Sequence, residues 1–299
     1  MTPRLVSSSQ LLRRLEWRLE HEVETQLIGE YFSVFRGRGM EFDQVVKYEF
    51  GDDIRDIDWN VTARLGEPYR KKFVEERELV VVLVIEDSLS LQFGSGARTK
   101  REALFELAAL VMLLAALNRD SISVVHAQPG GHRLHDRVRG RSAVFHAASE
   151  LLDTPPPDLT DTRPVETPWN LITTAAPNHS MLIVLGDFPP RGVPREWRQI
   201  VQRYCPVGFR VEDPWERELP GKQPLTVYDP TTHRVVVIDP RSGVHRKAHA
   251  EWQAQRDAAF SHLIPRPKDR LTVTPEESMV DAMVHFFHAH MGTATQLSS

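Results

Sequence analysis

Leu79–Ile85 is a run of seven apolar residues, five of them β-branched. A strand with one wet face alternates apolar and polar residues, whereas an unbroken run implies cover on both faces. Such a strand belongs inside a sheet sandwiched between helices. Met181–Leu185 repeats the feature later in the chain. Between them lie Thr99–Leu117, with the composition and length of a crossover helix, and a strand at Ser121–Ala127. Segment 132–138 is a third strand or a hairpin arm. Ser142–Leu152 reads as a helix stopped by Thr154-Pro155-Pro156-Pro157, and further helical stretches fall near 164–175 and 195–204, before a last short strand at Val207–Val211. Alternating β and α elements predict an α/β fold built on a doubly wound, mostly parallel, Rossmann-like sheet.

The flanks read differently. Residues 1–75 form an added N-terminal element. Its amphipathic helix over residues 10–30 carries Leu11, Leu12, Leu15, Trp17, Leu19, Val23 and Leu27 at near-helical spacing. Short strands over 40–50 and 67–75 flank a motif running from Gly51 to Arg64. The sheet domain spans 76–213. Residues 214–291 add a hairpin, with arms 225–228 and 235–238, and two helices over 245–263 and 275–290. The second opens on Thr274-Pro275-Glu276-Glu277, a cap followed by a first-turn proline and early acids. The closing residues 292–299 read as a disordered tail.

Formal charge is −4, from 37 basic and 41 acidic residues, so no global basic field recruits nucleic acid or an anionic membrane. The one cysteine, Cys205, fits a reducing compartment. Charges at Arg4, Arg13, Arg14, Glu16 and Arg18 interrupt any signal-peptide core, and the longest apolar run, Leu107–Leu117, is too short to span a bilayer. The expectation is a cytoplasmic protein. Common catalytic signatures such as the P-loop, Gly-x-Ser-x-Gly and His-Glu-x-x-His are missing from the sequence, and a non-enzymatic role is expected.

The chemistry concentrates where the apolar strands stop. Leu79–Ile85 leads into Glu86-x-Ser88-x-Ser90, and Met181–Leu185 into Gly186-Asp187. Parallel strands bring their carboxyl ends to one edge, where open α/β sheets place ligands. Thr160, in the proline-rich loop, is a further oxygen from that edge. Together Glu86, Ser88, Ser90, Thr160 and Asp187 form an oxygen set suited to a hard divalent cation such as Mg²⁺ or Ca²⁺ rather than Zn²⁺. The bland alternative has the serines capping a loop or helix and Asp187 holding a turn.

Gly51-Asp52-Asp53-Ile54-Arg55-Asp56-Ile57-Asp58-Trp59 packs carboxylates around one guanidinium. Read structurally, Gly51 and Asp52 turn the chain, Arg55 forks to Asp58 or Asp52, and Trp59 is a buried anchor. Read functionally, Asp52 or Asp58 joins Glu86 and Asp187 in an Mg²⁺-dependent hydrolase. The basic runs Arg70-Lys71-Lys72 and His132–Arg141 read as solvated or partner-facing surface, and the helix-end histidines His285, His288 and His290 as dipole partners rather than zinc ligands.

Several of these residues carry a resemblance: Gly37-x-Gly39-x-Glu41-Phe42, Tyr48-x-x-Gly51-Asp52-Asp53-x-Arg55-x-Ile57-Asp58-Trp59, Ala63-Arg64, Glu76-Arg77-Glu78 and the Glu-x-Ser-x-Ser run. Phe93-Gly94, Lys100, Asp120, Gly186-Asp187-Phe188 and Asp213-Pro214-x-Glu216-x-x-Leu219-Pro220 follow in order. The chain resembles the bacterial domain-of-unknown-function 58 family, whose members are similar to von Willebrand factor A domains. The resemblance implies a metal-ion-dependent adhesion site of pattern Asp-x-Ser-x-Ser, then threonine, then aspartate. Ser88, Ser90, Asp187 and Thr160 match it, while Glu86 departs from it. It further implies a protein–protein interaction module that works with a MoxR-type AAA+ ATPase, chaperone-like, on a client protein.

Overall fold

The computed structural model describes residues 7–22, 45–48, 57, 59–71, 79–178, 180–221, 223–229, 232 and 234–291. Helix α1 (Ser8–Glu22) is followed by β1 (Val45–Lys47), α2 (Trp59–Leu65) and β2 (Tyr69–Lys71), with β1 and β2 paired antiparallel. The chain then runs β3 (Val80–Glu86), a 3₁₀ turn (Leu89–Gln92), α3 (Lys100–Leu117), β4 (Ser121–Gln128), β5 (Gly131–Val138) and α4 (Arg141–Asp153). Next come α5 (Trp169–Ala175), β6 (Met181–Gly186), α6 (Trp197–Arg203), β7 (Cys205–Val211) and the single turn α7 (Pro214–Arg217). The hairpin β8 (Leu225–Asp229) and β9 (Arg234–Ile238), then α8 (Gly243–Leu263), β10 (Arg270–Val273) and α9 (Met279–Met291) complete it.

The principal sheet has six strands in the order β10-β7-β6-β3-β4-β5, all pairings parallel except β4 with β5. This is a mixed α/β fold with a mainly parallel sheet. The unbroken apolar run of β3 behaves as its composition requires. Val81, Leu83 and Ile85 enter one core with residues of α1, α3, α4 and α9, while Val82 and Val84 enter a second with Trp169, Trp197 and Phe260. Helix α3 lies within the first core and is apolar almost all round, as a fully covered helix must be. Thr99 and Glu102 close a reciprocal capping box at its start.

Strand β5 carries the basic run and is largely exposed. Charge on an edge strand discourages a second chain from pairing there. Arg141, at the start of α4, pairs instead with Glu16 of α1.

Several expectations are corrected. Val207–Val211 does not end the sheet: β10 pairs parallel with β7, and Met279, Val280, Met283, Phe286 and Phe287 of α9 lie in the main core. Residues 214–291 therefore do not form a unit separate from 76–213. The last helix starts at Met279, and Thr274 Oγ1 donates to Glu277 in the turn before it. Trp59 is 68% exposed rather than a buried anchor, and Trp17 is exposed and stacked on His21. Leu12, Leu15 and Leu19 are buried as the spacing predicts. The remainder of the helix placed over 10–30, the residues Asp52, Arg55 and Asp58, and the tail 292–299 lie outside the described residues.

Candidate functional site

Chain order changes side between β3 and β6: β4 is laid to one side of β3, and β6 then returns to the other. The carboxyl ends flanking such a switch point form the natural crevice of an open parallel sheet. Ser88 and Ser90 follow β3, and Asp187 follows β6. The structure brings them together: the hydroxyls of Ser88 and Ser90 are 2.8 Å apart, and Ser90 donates to Oδ2 of Asp187 at 2.6 Å. Ser90 is exposed and Asp187 buried, so the cluster reaches from the core to the surface.

The backbone after β6 is shaped to hold this arrangement. Phe188 adopts φ 48°, the left-handed region that non-glycine residues rarely occupy. The turn sends its ring against Phe260, at 4.3 Å between centroids, while Asp187 stays at the rim. Such a conformation costs on the order of 1–3 kcal/mol and persists because the packing beneath over-determines it.

Asp187 is surrounded by positive charge. Its Oδ1 accepts from Lys100 Nζ at 2.9 Å and from Arg256 Nη2 at 2.7 Å. Lys100, the first residue of α3, is fully buried and also donates to Glu216 at 2.6 Å. Arg256 of α8 is within 3.5 Å of Glu216 and 3.6 Å of Glu212, and its guanidinium lies over the Trp252 ring. Burial by itself would raise the Asp187 carboxyl. The charges of Lys100 and Arg256, with the bonds from Ser90 and Lys100, outweigh it and hold the group down at about 2.

Glu86 stands apart from this set. Arg191 donates to both its oxygens, at 2.6 Å to Oε1, and Thr167 Oγ1 donates to Oε1 at 2.7 Å. Gly186 makes room for it: a Cβ there would lie 3.2 Å from the Glu86 Cβ. The hydroxyl and amide of Thr160 both donate to Asp158 Oδ1 within its own loop, at 2.8 Å each. The threonine bonded to Glu86 is Thr167, from the same loop.

Asp87 faces away from the serines into a second buried cluster. Arg101 grips it bidentately, His126 Nε2 donates to it at 3.0 Å, and Gln128 adds a bond at 3.3 Å. Burial opposes its charge, but the bonds from His126 and Arg101 prevail and keep its pKa below the usual carboxylate range.

As arranged, these residues do not fit a resident divalent cation. A hard ion needs carboxylate oxygens turned toward the serines. Asp187 has three of about four lone-pair positions filled by Ser90, Lys100 and Arg256. Glu86 is committed to Arg191 and Thr167. Among the described residues, no group of three or more His, Cys, Asp or Glu side chains is placed to hold a metal.

Sequence reasoning missed Arg256, Arg191, Glu212 and Thr167, and assigned no role to Lys100 or Glu216. One signal was available for Arg256: it lies four residues from both Trp252 and Phe260, a charge in the apolar stripe of α8. The Arg191–Glu86 pairing has no local sequence signature.

Glu216 also walls an apolar cavity of about 470 Å³ between the β8–β9 hairpin and α8, lined chiefly by Phe93, Trp215, Val236, His249 and Trp252. The hairpin presents Val235 and Val237 to solvent. Among the described residues, no helix is long and apolar enough to cross a membrane.

The chain is 28% identical over 247 residues to "Uncharacterized protein Rv1480" of Mycobacterium tuberculosis, covering 79% of this chain and 72% of that one. "Uncharacterized protein Mb1516" of Mycobacterium bovis matches to the same extent. Among solved structures, the conserved hypothetical protein BatB from Bacteroides thetaiotaomicron aligns over 73% of this chain and 99% of its own, with 13% identity and a TM-score of 0.43. An aerotolerance-related membrane protein from Bacteroides fragilis aligns over 72% of this chain and 99% of its own, with 11% identity and a TM-score of 0.41. The model of the family described as "Protein of unknown function DUF58" matches residues 44–259, and the chain belongs to that family.

Proposed function

We propose that this protein is a non-enzymatic interaction module with a von Willebrand factor A-like sheet, docking a partner at the rim formed by Ser88, Ser90 and Asp187. The observation that carries the reading is the meeting of these side chains at the switch point, with Ser88 half-buried and Ser90 exposed. Hydroxyls held by a buried, charge-compensated carboxylate are pre-organised donors and acceptors, which favours specific docking over a small area. The cavity beside Glu216 and the exposed valines of the hairpin supply an apolar neighbour to that polar rim. The charged groups around Asp187 are engaged with one another rather than left poised for proton transfer, which supports a binding role over a catalytic one.

The partner we propose is a MoxR-type AAA+ ATPase, with the pair acting chaperone-like on a client in the cytoplasm. The test is affinity capture from the native host, comparing the wild-type chain with Ser88→Ala/Ser90→Ala. The expected result is recovery of an AAA+ ATPase by the wild type and its loss with the variant, whose cooperative melting shows it to be folded. Equal capture by both would remove the rim from the interface, and capture of no ATPase by the wild type would remove the partner.

A further inference from the structure

We infer that the sheet rim is metal-independent, with the buried Lys100 ammonium as its resident cation. The inference concerns the rim proposed above for docking, but it holds whether or not a partner binds there.

A rim of this kind gathers negative charge at the ends of two buried strands and must be neutralised from somewhere. Here the chain supplies the charge itself. Lys100 is 0% exposed and bridges Asp187 to Glu216. A lysine with no access to water is tolerated only when paired, and these two carboxylates provide the pairing. Arg256, 1% exposed, reaches the same Oδ1 of Asp187 from α8. A divalent ion placed against Asp187 would meet two fixed cations already in contact with its ligand.

The glutamate at position 86 belongs to the same arrangement. Where an aspartate in this position would stay close to its own strand end, the longer side chain of Glu86 lies along Gly186 and delivers its carboxylate to Arg191 and Thr167. Strand β3 thus ends in an ion pair with the loop after β6. Each of the two rim carboxylates has its own protein cation, and neither needs a metal to be charged and buried.

The full chain, stripped with EDTA, would be titrated with Mn²⁺ to millimolar concentration while free Mn²⁺ is followed by electron paramagnetic resonance, and its melting temperature compared in EDTA and in Mg²⁺. The expected result is no Mn²⁺ capture and no shift in melting temperature. Stoichiometric capture that Asp187→Asn abolishes would overturn the inference. Lys100→Met, Asp187→Asn and the double variant would then be melted: a double variant that loses less than the two single losses combined supports the ammonium as the charge partner, and additive losses count against it. If Lys100→Met does not fold, the wild-type Mn²⁺ titration alone decides. Because none of these readouts involves a partner, a failure here is separable from a failure of the docking proposal.

Discussion

Ser90 and Asp187 are 97 residues apart in sequence, and the hydroxyl of one donates to the carboxylate of the other at 2.6 Å. The contact exists because β3 and β6 are neighbours at the point where the sheet changes winding direction. Behind it stands a closed circuit of charge. Asp187 touches Lys100 and Arg256, Lys100 touches Glu216, and Arg256 lies between Glu216 and Glu212. The rim is the visible end of an ionic network whose other end is anchored in α8. Elements far apart in the chain are therefore tied to the rim.

Removing the central acid tests that network directly. Asp187→Asn keeps size and shape but leaves Lys100 and Arg256 buried against a neutral amide. Breaking a buried pair from one side typically costs about 3–5 kcal/mol. Urea denaturation is expected to show a loss of that order, with the midpoint falling and the slope little changed. A loss below about 1 kcal/mol, the range of exposed ion pairs, would mean the cations have escaped to solvent.

Acid should unfold the protein through the same residue. The Asp187 carboxyl is held at about 2, against an ordinary 3.8, so the folded state binds its proton less readily than the unfolded chain. Its contribution is therefore fully present above about pH 4 and is lost as pH falls toward about 2, on the order of 2 kcal/mol in all. Asp87, also lowered, adds loss in the same direction. Stability measured by urea titration between neutral pH and pH 2 should decline steeply in the wild type. Asp187→Asn should start lower and decline less.

How far the sequence reaches can be judged at particular residues. The β3 and β6 strands were legible because unbroken β-branched runs have few other uses, and strand polarity alone then placed Ser88, Ser90 and Asp187 on one edge. The role of Thr167 was not legible because it lies in a loop with no periodicity to fix where a side chain ends up; it sits ahead of Pro168 and bonds Glu86, while Thr160 of the same loop bonds Asp158. Strand β10 was invisible because Arg-Leu-Thr-Val is short and half polar, as a sheet edge allows. The partners of Asp187 and Glu86 come from α3, α8 and the loop after β6, and such pairings depend on tertiary register that no local pattern encodes.

Arg191 offers a milder perturbation than Asp187. Its side chain is 34% exposed, while that of Glu86 is 4% exposed. Arg191→Ala leaves the Glu86 carboxylate buried with Thr167 as its remaining hydrogen-bond donor, an omission expected to cost about 1–3 kcal/mol. Glu86→Gln in the same background should recover part of that loss, because a neutral amide needs no counter-charge. A double-mutant cycle measured by thermal or urea denaturation would give the coupling. A coupling near zero would mean the pair is not formed in solution.

Arg256 is set in place by the packing of α8 on β7. Gly208, in the middle of β7, lies directly beneath α8: a Cβ there would be 2.6 Å from Phe260 Cε2, 2.8 Å from Ile264 Cγ1 and 3.3 Å from Phe188 Cζ. Phe260 is one turn along the helix from Arg256, so the seat of this ring on the bare backbone of β7 fixes how deeply Arg256 enters the rim. Gly208→Ala should push α8 outward, with an overpacking loss of about 1–3 kcal/mol. It should also lengthen the Arg256–Asp187 contact, so that adding Asp187→Asn costs less than it does in the wild type. Adding Phe260→Leu to Gly208→Ala should restore part of the stability by removing the ring edge. If Gly208→Ala is as stable as the wild type and Asp187→Asn costs the same in both, α8 is not seated on β7 as described and Arg256 reaches Asp187 by another route.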